Sequence, residues 1–210
     1  MAHKSARTRV IFSILLTIGL VLSPAQVRAL GKNEIPPLDE FIAEVMNDEV
    51  DVLRGVYIPD VLADSVVLQP EENPGYISSG KDTLTQFELA SQYGSTGLLA
   101  HNYLAGKSFF LLEKGLLIYL IYGDGRIESF VITQFMRFQA LEPNSVTSDF
   151  IDLDSGESVS ASRLFLEVYN TPGYVVLQTC ISAHGSNLWG RLFIIAEPYD
   201  AGNLNWQQYA

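Results

Sequence analysis

The stretch from Gly173 to Pro198 reads GYVVLQTCISAHGSNLWGRLFIIAEP and contains the only cysteine of the chain, Cys180. Two runs rich in Val, Leu, Ile, Phe and Tyr flank a polar segment, which is typical of two strands joined by a loop. We expect strands over residues 174–180 and 191–196. Cys180 would then end the first strand, and Arg191 would begin the second.

The same pattern extends upstream to residue 55, because short apolar runs alternate there with Gly, Pro and Asn turn signals. The clearest hairpin joins residues 115–122 to residues 126–138 through Gly123-Asp124-Gly125, whose glycines can adopt positive φ. We also expect a strand over residues 163–169 and one short helix over residues 84–93. An open sheet with such apolar edges would aggregate, so the pattern predicts a mainly β protein with a closed or nearly closed barrel.

The N-terminal residues 1–29 have the pattern of an export signal. Basic residues precede an apolar run over residues 10–22, and Val27-Arg28-Ala29 ends in a small residue that suits signal peptidase. The apolar run has 13 residues, fewer than the ~20 that a spanning helix needs. A cleaved signal peptide is therefore favoured, and a retained membrane tether is the alternative. In both cases the rest of the chain would work outside the cytoplasm.

A helix is predicted shortly after this segment. Pro36-Pro37 precede an apolar face formed by Leu38, Phe41, Ile42, Val45 and Met46, with two acidic residues in the first turn. We expect this face to pack on the barrel, with partner binding as the alternative. The predicted organisation is an N-terminal helical extension over residues 30–52, a barrel domain over residues 53–200 and a tail over residues 201–210.

The charge balance narrows the range of partners. The chain of 210 residues has a formal net charge of −11, and removing the four positive charges of residues 1–29 leaves −15 for the remainder. A surface this acidic repels phosphate backbones, so we expect no nucleic-acid partner. Only three histidines and one cysteine occur, so we expect no metal site and no cofactor.

The lone thiol is the best candidate for chemistry, although a free cysteine is commonly a small buried hydrophobe. A single cysteine cannot form an internal disulfide. A catalytic thiol needs an imidazole or a positive charge beside it. His101, at the end of a predicted strand, is favoured over His184 in the polar loop, because strands position side chains better. Arg191 could stabilise an oxyanion or form an ordinary surface ion pair.

These residues resemble a known family. The segment from Val176 to Cys180, followed by the strand that Arg191 begins, is similar to the strand-loop-strand signature of sortases, the exported cysteine transpeptidases of bacterial surfaces. Residues 57–61 resemble the opening segment of that family, and residues 94–101 with the following phenylalanines resemble its histidine region. The resemblance covers about residues 53–198.

The resemblance implies an eight-stranded barrel in which Cys180 is the nucleophile, His101 the acid and base, and Arg191 the stabiliser of the oxyanion or the substrate. The implied substrate is the sorting-signal peptide of a surface protein. The implied acceptor is an amine of a cell-wall precursor or a pilin lysine. Two alternatives remain open at this stage: a cysteine peptidase with water as acceptor, and a catalytically silent extracellular binding domain.

Overall fold

A closed barrel of eight strands forms the centre of the molecule. The computed structural model describes residues 35–145 and 147–200. Along the sheet the strands follow the order β10 (Ser186–Pro198), β9 (Val175–Ala183), β4 (Thr96–Leu99), β3 (Thr83–Phe87), β2 (Leu62–Leu68), β1 (Leu53–Ile58), β5 (Leu117–Tyr122) and β6 (Ile127–Ala140). Strand β10 also pairs with β6, so the sheet closes on itself. Two short strands, β7 (Phe150–Asp152) and β8 (Ser158–Val159), extend the sheet from the edge of β6. The predicted eight-stranded barrel is therefore confirmed.

Ten strands and four short helices make up the described chain. The strands are β1 Leu53–Ile58, β2 Leu62–Leu68, β3 Thr83–Phe87, β4 Thr96–Leu99, β5 Leu117–Tyr122, β6 Ile127–Ala140, β7 Phe150–Asp152, β8 Ser158–Val159, β9 Val175–Ala183 and β10 Ser186–Pro198. The helices are α1 Leu38–Val45, α2 Glu88–Gln92 and α3 Ala161–Tyr169, with a 3-10 helix over Ala105–Leu111.

Three apolar layers hold these elements together. The barrel interior is filled by inward side chains such as Val56, Leu98 and Leu177, which are fully buried. A second cluster, which includes Leu164 and Val168 of α3, covers part of the outer surface over β6, β9 and β10. Burial of this area is the main driving force for closing the barrel, at roughly 25 cal/mol per Å² of apolar surface.

The third apolar layer lies under the N-terminal helix. Phe41 of α1 is buried against Tyr57 of β1 and Ile121 of β5. The Tyr57 hydroxyl donates a hydrogen bond of 3.0 Å to the Pro36 carbonyl, which ties the start of the helix to the barrel. The predicted helix is therefore present, and its apolar face packs on the domain.

One predicted strand is wrong. Residues 163–169 belong to α3, and the helix begins at Ser160, whose hydroxyl accepts a hydrogen bond from the Arg163 amide at 3.3 Å. Leu164 and Val168 are buried while Leu166 is exposed, which is a helical spacing rather than the alternation of a strand. The N-cap serine is the sequence signal that would have identified this helix.

The predicted helix over residues 84–93 is half wrong. Thr83–Phe87 is a strand that pairs with both β2 and β4, and only Glu88–Gln92 is helical. The predicted hairpin is confirmed, because β5 and β6 pair across the turn at residues 123–126. Of its two glycines, Gly125 has a positive φ of 83°. Gly123 is needed for space, because a Cβ there would lie 2.3 Å from Asn47 Oδ1.

The predicted signal or anchor over residues 1–29, including the possible tether over residues 10–22, lies outside the described residues, as does the tail over residues 201–210. Within residues 35–145 and 147–200, no helix is long and apolar enough to cross a membrane. The domain boundaries at residues 30, 53 and 200 stay predictions.

Candidate active site

Strand β9 presents its two faces to different surroundings. Val175 and Leu177 point into the barrel core, and Thr179 on the same face is 2% exposed. The intervening residues Val176 and Gln178 face outward, because side chains alternate along a strand. Cys180 therefore lies on the outer face, where it is half-buried.

Arg191 lies directly across from Cys180 on the neighbouring strand. The two residues are register partners in the antiparallel pair of β9 and β10. Partners across a sheet have Cα atoms about 5 Å apart and side chains on the same face. The guanidinium Nη1 donates to the carbonyls of Leu188 and Gly190, at 3.0 and 2.9 Å. No carboxylate of the described residues pairs with Arg191, so the ordinary interpretation as a surface ion pair does not hold there.

His101 lies on the other side of the cysteine strand. Strand β4 runs parallel to β9, with Leu99 beside Gln178, and the Ala100 amide continues this pairing with a 3.2 Å bond to the Gln178 carbonyl. Continued by two residues, this register would set His101 opposite Cys180, but β4 ends at Leu99 and His101 lies in the segment that follows it. Arg191 and Cys180 thus face each other across β10 and β9, and His101 follows the end of the third adjacent strand.

Backbone contacts fix the histidine segment after β4 ends. The buried hydroxyl of Thr179 donates to the Ala100 carbonyl at 2.8 Å, and the Leu104 and Gly106 amides donate to the His101 carbonyl at 3.0 and 3.1 Å. Gly106 has no room for a side chain, because a Cβ would lie 2.5 Å from the Thr179 hydroxyl. His101 is therefore held in place even though it lies beyond the strand that was expected to carry it.

The Tyr103 ring stacks on the imidazole of His101, with ring centroids 5.2 Å apart and an angle of 17°. Tyr103 is 62% exposed. The stacked ring covers one face of the imidazole and leaves its edge available for proton transfer.

Burial raises the pKa of the Cys180 thiol, and the positive charge of Arg191 partly offsets this by lowering it. The cause of the raised pKa is desolvation, because burial penalises the charged thiolate. At neutral pH the protonated thiol is favoured, so attack by Cys180 requires a group that accepts its proton.

The polar segment between Cys180 and Arg191 is a hairpin tip rather than the expected loop. Strands β9 and β10 continue to Ala183 and Ser186, and only His184 and Gly185 connect them. Both connecting residues have positive φ, 49° and 79°, which is the backbone of a tight two-residue hairpin turn. The exposed His184 contacts Trp189 edge to face at 5.6 Å and lies at the tip, four residues beyond Cys180.

Gln178 lies two residues before Cys180 on the same face of β9, and its side chain accepts a hydrogen bond from the hydroxyl of Tyr169. Complete burial raises the pKa of Tyr169 far above its usual range, so this hydroxyl stays protonated as a donor. Leu98 of β4 is fully buried in the core, whereas Leu188 of β10 is exposed.

Sequence reasoning gave no role to Asn102, the residue after His101. Its amide nitrogen donates to the Ser182 hydroxyl at 2.8 Å and to the Asn187 carbonyl at 3.0 Å. These contacts link the histidine segment to the hairpin of β9 and β10. The sequence offered no signal for them, because the partners are 80 and 85 residues away.

In the part of the chain that the structure describes, no group of three or more His, Cys, Asp and Glu side chains could hold a metal ion. Cys180, Arg191 and His101 carry a thiol, a guanidinium and an imidazole, which are side chains able to supply a nucleophile, a fixed positive charge and a proton carrier.

No family model matches the chain, and no curated protein sequence matches it. Solved structures do. Sortase A from Listeria monocytogenes is 16% identical over 71% of this chain and 88% of its own, with a TM-score of 0.46. Sortase C1 from Streptococcus suis is 16% identical over 79% and 81%, with a TM-score of 0.48.

A third structure is the sortase C of Clostridium perfringens with the C-terminal cell wall sorting motif. It is 17% identical over 77% of this chain and 83% of its own, with a TM-score of 0.44. The closed eight-stranded barrel is established by the strand pairing of this chain, and its chemistry depends on the side chains that the chain carries.

Proposed function

We propose that this protein is a sortase-like cysteine transpeptidase that cleaves a sorting-signal peptide and transfers it to an amine. The observation that supports the proposal most strongly is the pairing of Arg191 with Cys180 across β10 and β9, with His101 in the segment that follows the neighbouring strand β4. An extended peptide that crosses these strand ends would bring its carbonyl over the sulfur.

The first half-reaction forms a thioester. The sulfur of Cys180 attacks the peptide carbonyl carbon, and His101 accepts the thiol proton, which the raised pKa of Cys180 makes necessary. The negative charge on the carbonyl oxygen is stabilised by the guanidinium of Arg191. When the carbon–nitrogen bond breaks, His101 returns the proton to the departing amine, and the acyl group stays on Cys180.

The second half-reaction releases the enzyme. An acceptor amine attacks the thioester carbon, and His101 removes a proton from that amine. The carbon–sulfur bond then breaks and the sulfur is reprotonated. A cell-wall precursor or a pilin lysine would supply this amine, and no cofactor takes part, because one amide exchange is divided into two thioester steps.

The proposed location is the cell surface, outside the cytoplasm. It is supported by the basic and apolar pattern of residues 1–29, which acts as a cleaved signal or as a membrane tether through residues 10–22. The acidic remainder of the chain fits an environment without nucleic acid.

The decisive experiment is intact-mass detection of a peptide thioester on the full chain, using a small library of Pro-containing pentapeptides. A mass increase on the wild type that is missing in Cys180→Ala supports the proposal. Product masses measured with and without an added amine then separate transfer from hydrolysis, since a peptidase would give the same hydrolysed product in both.

A catalytically silent peptide-binding barrel is the second candidate, and the burial that raises the pKa of Cys180 is the observation that favours it. Alkylation of Cys180 by iodoacetamide separates the two. A silent barrel gives slow alkylation at neutral pH that is unchanged in His101→Ala, whereas the transpeptidase requires that this substitution alter the reactivity of the thiol.

A further inference from the structure

The bulge in strand β10 determines which residue faces the thiol. Near the tip Ser186 pairs with Ala183, but beyond the bulge Gly190 pairs with Ile181. Three residues of β10 therefore lie opposite the single residue Ser182 of β9. If the tip register continued without this offset, Trp189 would be the partner of Cys180. The two-residue shift brings Arg191 there instead.

The bulge also holds the guanidinium of Arg191. Its Nη1 donates to the carbonyl of Leu188, inside the bulge, and to the carbonyl of Gly190 at its end, at 3.0 and 2.9 Å. A β-bulge is commonly the device that aims a side chain beside an active site. The direction of the Arg191 side chain thus depends on the conformation of residues 187–190.

Three polar side chains meet at this bulge, one from the segment after β4, one from β9 and one from β10. Asn102 donates to the Ser182 hydroxyl at 2.8 Å and to the Asn187 carbonyl at 3.0 Å. The Ser182 hydroxyl in turn donates to Asn187 Oδ1 at 3.2 Å. Asn102 is half-buried, while Ser182 and Asn187 are exposed. Asn102, the residue next to His101, is therefore bonded to both strands of the β9–β10 hairpin.

We propose that Asn102 is a positioning residue, which holds the β10 bulge in the conformation that aims Arg191 at Cys180. The role of Asn102 in catalysis rests on the proposed transpeptidase function. Its role in positioning Arg191 does not, because the link from Asn102 through Asn187 and Leu188 to Arg191 can be tested by the reactivity of the thiol itself. Asn102 acts through Arg191 and does not touch the reacting atoms.

The experiment measures the rate of Cys180 alkylation by iodoacetamide against pH in the full-length protein. The charge that acts on the thiol is that of Arg191 from β10, and His101, in the segment after β4, is the titratable side chain on the other side of β9. Arg191 lowers the pKa of Cys180, so withdrawing its charge should raise the midpoint of the alkylation profile. Asn102→Leu keeps the branched shape, removes the amide donors and introduces no charge.

We expect Asn102→Leu to shift the alkylation midpoint upward and to slow alkylation at pH 7 by about threefold or more, since the thiolate is the reactive form. Arg191→Ala should do the same. In the Arg191→Ala background, Asn102→Leu should have no further effect, because the charge that it positions is gone. Asn144→Leu, on an exposed turn, is the matched control and should leave the profile unchanged.

An alkylation profile of Asn102→Leu that matches the wild type would overturn the proposal. So would a shift caused by Asn102→Leu that is equally large in the Arg191→Ala background. The proposal also fails if Arg191→Ala alone leaves the alkylation profile unchanged. Should Asn102→Leu not fold, Ser182→Ala decides, because it removes one of the two acceptors of Asn102 and should give a smaller shift in the same direction. Peptide thioester formation is measured in parallel. A shifted profile without a thioester in the wild type would refute the transpeptidase and leave the positioning role standing.

Discussion

The two faces of strand β9 carry different properties of the molecule. On the inner face, Val175 and Leu177 are fully buried in the barrel core. On the outer face, Gln178, Cys180 and Ser182 are polar or reactive and contact side chains from other segments. Residues one position apart thus belong to separate systems. The core face should determine whether the barrel forms, and the outer face should determine what it does.

The largest expected effect comes from the inner face. Leu177→Ala leaves a cavity in the core, which typically costs 2–5 kcal/mol, and we expect about 3 kcal/mol off the free energy of unfolding. Urea unfolding monitored by tryptophan fluorescence measures this loss. In the folded fraction the rate of Cys180 alkylation should change less than about twofold, because packing and reactivity are on opposite faces.

The control for this substitution is Leu188→Ala, since Leu188 is 38% exposed at the rim and should lose less than about 0.5 kcal/mol. Equal losses for the two leucines, or a large change in alkylation for Leu177→Ala, would show that the faces are not separate.

The next effect comes from the outer face. His101→Ala and Arg191→Ala should each slow thioester formation by at least about 100-fold, the range typical of lost acid–base or oxyanion assistance. That corresponds to about 2.7 kcal/mol of activation free energy. Rates come from single-turnover mass measurements with a peptide that acylates the wild type. His184→Ala is the matched control at the hairpin tip and should keep the wild-type rate. A near-normal rate of thioester formation in His101→Ala or in Arg191→Ala would remove the substituted residue from the mechanism.

The sequence predicted the inner face better than the outer one. The barrel follows from apolar runs and turn signals, which are local properties of the sequence. The predicted ends of the two hairpin strands β5 and β6 each lie within two residues of the observed ends. The sequence predicts a strand where helix α3 lies, because Phe165, Val168 and Tyr169 have high strand preference. The spacing of four residues and the N-cap Ser160 carried the contrary signal.

The site could be predicted only in part. A nucleophile, an imidazole and a guanidinium could be named from residue type, and a hairpin was expected to bring Arg191 back toward Cys180. The two-residue offset in β10 could not be predicted, because it depends on contacts with Asn102, which is 85 residues from Asn187 in the chain. The burial that raises the pKa of Cys180 likewise depends on the packed structure rather than on the net charge.

A third prediction concerns Asp64, a carboxyl buried on the inner face of the barrel. Asp64 shares this face of β2 with the buried Leu62 and Val66, is 5% exposed, and has a carboxylate oxygen without a hydrogen-bond partner. Burial, with a smaller contribution from the charge of Asp82, raises the pKa of Asp64 to about 7. The folded state therefore binds this proton more tightly than the unfolded state does.

The sign of the effect follows from that difference. The stabilisation is fully present below the unfolded pKa of about 4 and is lost as the pH rises through 7. We expect the free energy of unfolding to fall by about 2 kcal/mol between pH 5 and pH 8. Asp64→Asn stays neutral and should flatten the profile, which urea unfolding at several pH values would measure. An equally steep profile in Asp64→Asn would assign the dependence to another group.

The smallest effect tests whether the hairpin tip influences the thiol. Gly185 has a φ of 79°, and a Cβ there would meet nothing within 4 Å, so Gly185→Ala costs only backbone strain, about 1 kcal/mol. Gly75→Ala is the control, because Gly75 is exposed and does not have a positive φ, and this substitution should leave the free energy of unfolding nearly unchanged.

Unfolding and the alkylation of Cys180 are measured on both variants. Because Asn102 holds the bulge between the tip and Cys180, the alkylation profile of Gly185→Ala should match the wild type. A shifted profile would mean that the turn, rather than Asn102, sets the position of Arg191.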